Sequence, residues 1–230
     1  MVKRILDLAL AGAALIVLAP PLLLIALGIK LDSAGPALYS QVRVGRRGRL
    51  FRLHKFRSML ADADRHGPPL TRRADPRVTR LGRLLRPLRL DELPQLFNVL
   101  TGDMSLVGPR PEIPSIVDRY TSQEREVLSV RPGLAGPTHL AWLDENERYP
   151  DDVDSVEYYV AHMLPQKLRS DLDYLRTRTL LGDIRCLMRV PPALVRSALR
   201  SRRLDPTRTA LSAPPGPESA GGTRRPSRRP

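Results

Sequence analysis

Residues 8–29 carry no charge, and Lys3 and Arg4 precede them. That is about the length a helix needs to cross a bilayer. Pro20 and Pro21 sit near the middle, where each removes a backbone donor and clashes with the preceding turn. The pattern therefore predicts a helix, a break and a second helix, each half too short to cross alone. Positive residues flank both sides, Lys3 and Arg4 before and Lys30, Arg43, Arg46 and Arg47 after, as two cytoplasmic ends would show. The expectation is a re-entrant segment dipping into one leaflet, with a kinked single span as its alternative. A cleaved signal peptide is disfavoured, because Asp7 interrupts the basic start and no small-residue cleavage site follows.

Beyond the turn cluster at 31–36 the apolar runs shorten and the periodicity changes. Residues 37–44 and 50–54 read as strands joined through Gly45-Arg46-Arg47-Gly48, a hairpin. Residues 62–76 are polar, and His66, Gly67, Pro68 and Pro69 mark a loop. Residues 78–90 have helical period and are heavily basic, with Arg83 and Arg86 on one face. Leu93, Leu96, Phe97 and Leu100 form an apolar stripe that predicts a helix from Asp91, stopped by Gly102. Further helices are predicted over 113–128 and 151–187. In the latter, Tyr158, Tyr159, Leu172, Tyr174, Leu175, Leu180 and Leu181 are expected in the core or at an interface. Residues 130–137 read as a rigid turn. Pro191 and Pro192 interrupt a last apolar and basic stretch suited to a membrane surface. From residue 201 Pro, Arg, Ser and Gly dominate, the composition of a disordered tail. The predicted fold is α-rich α+β. A re-entrant membrane helix-break-helix (1–32) precedes a small cytosolic catalytic domain with a short β-hairpin and amphipathic helices (33–200), and a tail (201–230) follows.

Charge narrows the partners. With 38 Lys and Arg against 24 Asp and Glu, the formal net charge is +14, so anionic partners are expected. Aromatics are only 4% of residues and do not interleave with the basic ones, which weighs against a single-strand nucleic-acid platform. Cys186 is the sole cysteine, so neither an internal disulfide nor a thiolate-rich zinc site is expected, and Cys186 reads as a packing residue. The four histidines show no metal-ligand spacing.

The densest chemistry lies at 90–112, LDELPQLFNVLTGDMSLVGPRPE. Asp91 and Glu92 are adjacent carboxylates at the expected start of a helix, whose dipole would keep them ionised and favour phosphate nearby. Arg110 is flanked by Pro109 and Pro111, so its planar fork loses little freedom on gripping a phosphate. Taken singly, Asp91 could be only an N-cap, Glu92 a first-turn acid and Arg110 a surface residue.

The motifs taken in order are Lys3-Arg4 before the Pro-broken apolar segment, then KLDSAGP at 30–36, QVRVG at 41–45 and KFRSM at 55–59. DELPQL at 91–96, GDMSLVGPRPE at 102–112 and RPGL at 131–134 complete the set. Together they resemble the bacterial sugar transferase family, the monotopic polyprenyl-phosphate phosphoglycosyl transferases, over roughly residues 1–190. The resemblance implies an enzyme of the cytoplasmic membrane whose catalytic domain faces the cytoplasm. It would move a phosphosugar from a UDP-sugar to polyprenyl (undecaprenyl) phosphate and release UMP, starting exopolysaccharide or another surface glycan. It implies Asp91 as the catalytic nucleophile, Glu92 as a catalytic residue associated with magnesium and with assisting the reaction, and Arg110 in nucleotide-sugar recognition.

Lys55, Arg86 and Arg131 are further candidate substrate-binding cations, and Asp91 with Glu92 is the candidate Mg2+ pair. The expected partners are the UDP-sugar, polyprenyl phosphate and membrane lipid, with no nucleic acid; the chain leaves room for a homo-oligomer. It departs from the family at Ala19, where Ser is frequent before the first Pro, and at Ala135, where Thr is frequent. Rival readings are a non-enzymatic anchored module binding anionic lipid or a partner protein, and a DNA-binding protein using the basic helix at 78–90. The loops at 62–76 and 142–154 are the places to look for a sugar discriminator.

Overall fold

The structure is a computed structural model that describes residues 1–68, 70–71, 75–150 and 153–203. Helix α1 spans Val2–Asp32, 31 residues. Asp7, Ala11 and Ile29 are buried along it, and Ala14, Leu15, Leu18, Leu22, Ile25 and Ala26 are packed between them. These positions recur every three or four residues, which keeps them on one face. The opposite face is apolar and bare, with Ile16 77% and Leu24 70% exposed.

The expected pair of helices is one element here, continuous through Pro20 and Pro21. Both prolines are exposed, so the carbonyls they leave unbonded, of Ile16 and Val17 four residues earlier, belong to the bare face. The packed stripe is not interrupted. By length and composition, α1 can cross a membrane, which is compatible with membrane anchoring.

Arg57 fixes the far end of α1. Its buried guanidinium donates to the carbonyls of Ser33 (2.7 Å), Ile29 (3.4 Å) and Ala34. The Ile29 carbonyl also accepts from Ser33 N–H at 3.2 Å, so Arg57 chiefly serves the carbonyls just past the helix end. Strands β1 (Leu38–Val44) and β2 (Leu50–Phe56) pair antiparallel, from Leu38 opposite Phe56 to Val44 opposite Leu50. The predicted hairpin is thus present, and Arg47 (φ 59°) and Gly48 (φ 77°) make its tip. The other edge of β2 is closed by the buried side chain of Asn98. It accepts from His54 N–H at 3.0 Å and donates to the Arg52 carbonyl at 2.8 Å, as a neighbouring strand would.

The single helix expected over 78–90 is broken into pieces. Thr79 caps α2 (Arg80–Leu85) through Gly82 N–H. A 3-10 turn covers Arg86–Leu88, Arg89 turns left-handed (φ 54°, ψ 25°), and a second 3-10 turn covers Leu90–Glu92. Helix α3 begins only at Gln95 and runs to Thr101, ended by Gly102 at φ 96°. Asp91 and Glu92 therefore precede the helix instead of starting it. The expected stripe also shifts: Leu96 and Val99 are buried, whereas Phe97 is 51% and Leu100 36% exposed.

Strand β3 (Ser105–Val107) pairs in parallel with β4 (Gly133–Ala135), inside the stretch read as a turn. The helix expected over 113–128 is reduced to α4 (Pro114–Val117) and a 3-10 segment, Glu124–Ser129. Between them Thr121 and Glu124 exchange side-chain-to-backbone hydrogen bonds, a capping box that restarts the chain. There follow α5 (Pro137–Ala141), α6 (Ser155–Tyr158), a π segment (Tyr159–Met163), α7 (Leu164–Thr177) and α8 (Leu180–Arg203).

One core cluster joins Val44, Ile116, Trp142, Tyr159, Leu168 and Leu172; another joins Ala11, Leu53, Leu96, Met104 and Cys186. Cys186 packs as expected. Leu180 and Leu181 lie outside the core, 38% and 56% exposed, which leaves the interfacial alternative for them. Helix α8 continues through Pro191 and Pro192 and also exposes Ile184, Met188, Val195 and Leu199. Beyond Arg203 the tail lies outside the described residues.

Candidate active site

The site is made by the turn at 89–92, the end of β2 and the Pro-Arg-Pro loop. Left-handed backbone is unfavourable for a residue with a Cβ, by about 1–2 kcal/mol. At Arg89 it lets the chain reverse between two 3-10 turns, with Arg89 N–H bonded to the Arg86 carbonyl and Glu92 N–H to the Arg89 carbonyl, both at 3.0 Å. Asp91 and Glu92 are thereby carried inward, 7% and 5% exposed.

Glu92 Oε1 accepts from three cations: Arg110 Nη2 at 2.9 Å, Arg89 Nη1 at 3.1 Å and Lys55 Nζ at 3.3 Å. Burial works against its ionisation, but Arg110, Lys55 and Arg89 outweigh it and hold the carboxyl well below the usual range. Lys55 responds in the other direction. Burial brings it down to about 8 in spite of Glu92. Burial also lowers Arg110, yet its pairing with Glu92 raises it overall, so it is a permanent charge.

Asp91 differs from its neighbour. Its Oδ1 is buried without a hydrogen-bond partner. Burial and then the charge of Glu92 raise its pKa, while Lys55, Arg86 and Arg89 pull it down. One carboxylate is locked in a cationic frame and the other is held close by with an oxygen free.

Arg110 is fixed from behind. Arg43 Nη1 donates to the Pro111 carbonyl at 3.1 Å and pairs with Glu112 at 3.4 Å. Tyr159 OH donates to Glu112 and accepts from Lys167 Nζ at 3.0 Å, and Lys167 pairs with Glu145 at 2.9 Å. Of the sequence-selected cations, Lys55 and Arg110 reach Glu92 directly, and Arg86 acts on Asp91 through charge. Arg131 turns elsewhere, its Nε donating to the Gly102 carbonyl at 2.7 Å at the end of α3. Arg89, Glu112, His139, Glu145, Tyr159 and Lys167 are not among the site residues that the sequence singles out. Arg89 looked like one more member of a basic helix, and the others come together only through long-range packing.

Asp91 and Glu92 suit a magnesium ion: both offer oxygen, and the free Asp91 Oδ1 is a buried acceptor awaiting a donor or a cation. Among the described residues no group of three or more His, Cys, Asp or Glu converges on one point. The pair would be part of a shell completed by water and phosphate oxygens, the common arrangement for this ion.

A long apolar helix compatible with membrane anchoring, docked on a helix-rich body that holds paired carboxylates inside a frame of fixed cations, defines a class of proteins suited to meet anionic groups. Residues 1–197 match the family described as bacterial sugar transferase, and the chain belongs to that family. It is 40% identical over 196 residues to the UDP-glucose:undecaprenyl-phosphate glucose-1-phosphate transferase of Caulobacter vibrioides, covering 84% of this chain and 69% of that protein. It is 42% identical over 189 residues to the UDP-N-acetylgalactosamine-undecaprenyl-phosphate N-acetylgalactosaminephosphotransferase of Aeromonas hydrophila, covering 80% of this chain and 41% of that protein. With the undecaprenyl-phosphate glucose phosphotransferase of Komagataeibacter xylinus the identity is 41% over 196 residues, covering 80% of this chain and 34% of that protein. The chain thus spans well under half the length of the last two.

Proposed function

We propose that the protein is a phosphoglycosyl transferase that moves a sugar phosphate from a UDP-sugar to undecaprenyl phosphate, through a covalent intermediate on Asp91, and so initiates a surface glycan. The observation that carries this reading is the asymmetric carboxylate pair. Glu92 is neutralised by three cations, and Asp91 keeps a buried oxygen without a partner. A structural acid would be fully bonded, whereas a nucleophile needs an oxygen to present.

Both substrates are anionic, so their direct meeting brings like charges together. Splitting the transfer lowers that demand. An Asp91 carboxylate oxygen attacks the β-phosphorus of the donor, the bond from that phosphorus to the bridging oxygen breaks, and UMP leaves with the electron pair. An oxygen of the lipid phosphate then attacks the same phosphorus, the bond to Asp91 breaks, and the carboxylate returns. Arg110, Lys55 and Arg89 hold positive charge beside the transferring group throughout, and Arg86 adds to it. Asp91 and Glu92 would hold magnesium, which when bound supplies further neutralisation of the phosphate oxygens.

The anchor follows from the same reading. Near its start, Arg4 bonds the carbonyls of Val99 and Leu100, and Asp7 accepts from Ser105 and Leu106. Near its end, Asp32 accepts from Leu81 N–H. Both ends of α1 dock on one body, which supports a re-entrant course with the site at the cytoplasmic headgroup layer.

The test is UMP release from a panel of UDP-sugars by protein in nanodiscs with magnesium, with and without undecaprenyl phosphate, beside Asp91→Asn. We expect donor-specific release, a stoichiometric burst without acceptor, and loss of both in the variant. Turnover by Asp91→Asn at the wild-type rate would sink the covalent route.

A further inference from the structure

His139, on α5, contacts Arg110 on the side away from Glu92. Arg110 Nη1 faces His139 Nε2. A guanidinium only donates, so Nε2 must accept and the ring proton must sit on Nδ1. Burial, and next the Arg110 charge, hold the imidazole well below its ordinary pKa, so it is neutral. Nδ1–H is then a buried donor, and it has no hydrogen-bond partner among the described residues. A buried donor left unmade is costly unless something arrives to accept from it.

His139 borders a recess also lined by Arg89, Arg110, Trp142, Glu145 and Lys167. It has about 210 Å³ of unfilled space, the solvent at its mouth included. Trp142 offers a large apolar ring, with Arg148 4.3 Å and Lys167 6.0 Å from its centre. Glu145 and Lys167 add an acceptor and donors at 2.9 Å from each other. Arg89 and Arg110 belong both to this recess and to the frame around Glu92, so it adjoins the carboxylate pair.

We propose that this recess is the subsite for the sugar ring of the donor, with His139 Nδ1–H donating to a ring oxygen substituent and Trp142 packing against the ring's C–H face. The inference rests on the transferase reading. A hexose has what these walls lack: several oxygens that both donate and accept, and an apolar face. The loop 143–148 moves outward to admit the ring, while Trp142 stays packed in the core. That loop is held by polar contacts, Arg89 Nη2 to the Leu143 carbonyl at 3.4 Å, Ser197 Oγ to Asp144 at 2.6 Å and Lys167 to Glu145 at 2.9 Å. His139 and Trp142 thereby discriminate among donors that differ only in the sugar.

The experiment measures kcat and KM for UDP-glucose, UDP-galactose, UDP-N-acetylglucosamine and UDP-N-acetylgalactosamine in nanodiscs, for wild type, His139→Leu, His139→Asn and Trp142→Phe, with UMP as competitive inhibitor. Loss of one neutral hydrogen bond corresponds to about a tenfold effect. His139→Leu should raise KM for the preferred donor about tenfold more than for the others, leaving inhibition by UMP unchanged. His139→Asn, which keeps a side-chain N–H, should restore most of the preference. Trp142→Phe should keep it too. A uniform change across all four donors, or an equal change in UMP inhibition, overturns the assignment, the latter because the recess would then hold the nucleobase. Should His139→Leu fail to fold, His139→Met, which is also apolar and lacks the N–H, takes its place with the same expected and overturning outcomes. Wild-type protein releasing no UMP from any donor would refute the transferase reading itself.

Discussion

Replacing Glu92 by Gln keeps the shape of the side chain and removes the charge that three cations share. Arg110, Arg89 and Lys55 would then surround a neutral amide at distances that are now 2.9, 3.1 and 3.3 Å. Breaking a buried ion pair costs about 3–5 kcal/mol, because the partner charge is left uncompensated. Lys55 can relieve part of this. Its pKa of about 8 already lies below the ordinary 10.5, and loss of Glu92 removes its main stabilising charge. Shedding its proton costs about 1.4 kcal/mol per pH unit below its pKa, so the net loss near neutral pH should be about 3 kcal/mol. For a chain of this size that lowers the melting temperature by about 6–12 °C.

The pH dependence carries the sharper test. In the wild type the folded state releases the Lys55 proton near pH 8 and the unfolded state only near 10.5, so stability rises with pH across that interval. In Glu92→Gln the folded pKa is lower still, so the rise starts earlier. The gap between the two proteins should therefore be widest near pH 6 and shrink by pH 9. Differential scanning fluorimetry in detergent over that range reads it directly. A variant as stable as wild type at pH 6, or a gap that does not narrow as pH rises, refutes the account of the cationic frame.

Three further outcomes are expected. Asp171 is buried, and burial raises its pKa to about 6 from 3.8. The folded state holds the proton where the unfolded state has lost it, so stability falls as pH rises from about 4 to 6. Asp171→Asn should accordingly raise the melting temperature at pH 7 by the equivalent of up to about 3 kcal/mol and leave it little changed at pH 4. Arg57→Ala leaves the carbonyls of Ser33 and Ala34 at the end of α1 without their Arg57 donor. A loss of about 2–4 kcal/mol should follow, with faster proteolysis near residues 30–36 than in wild type. Gly82 faces the backbone of Ser58, and a Cβ there would lie 2.1 Å from the Ser58 carbonyl oxygen. Gly82→Ala should therefore prevent accumulation of folded protein, measured as the soluble membrane-extracted yield, because neither backbone can yield cheaply.

The sequence by itself determined what depends on neighbours along the chain. The uncharged run at 8–29 made α1 helical, though without the break expected at Pro20 and Pro21; the turn residues at 45–48 made the hairpin, and Gly102 ended α3 at φ 96°. The order of motifs carried the family. Local pattern misjudged the places where tertiary packing overrules it. The basic period at 78–90 predicts one helix, but Arg89 in a left-handed turn is tolerated because its side chain is tied to Glu92 and Leu143. Phe97 and Leu100 share the expected stripe with Leu96, yet packing buries Leu96 alone of the three.

Only the tertiary structure decided the roles of the cations. Lys55, Arg57 and Arg131 look alike in sequence, but Lys55 serves Glu92, Arg57 the end of α1 and Arg131 the end of α3. The same holds for His139, held neutral by burial and then by Arg110, 29 positions away, which also takes Nε2 and leaves the Nδ1 donor free. The physical reason is range. Helix period and turn geometry are set within a few residues, whereas the charge state of a buried group is set by whatever the fold places a few ångströms away.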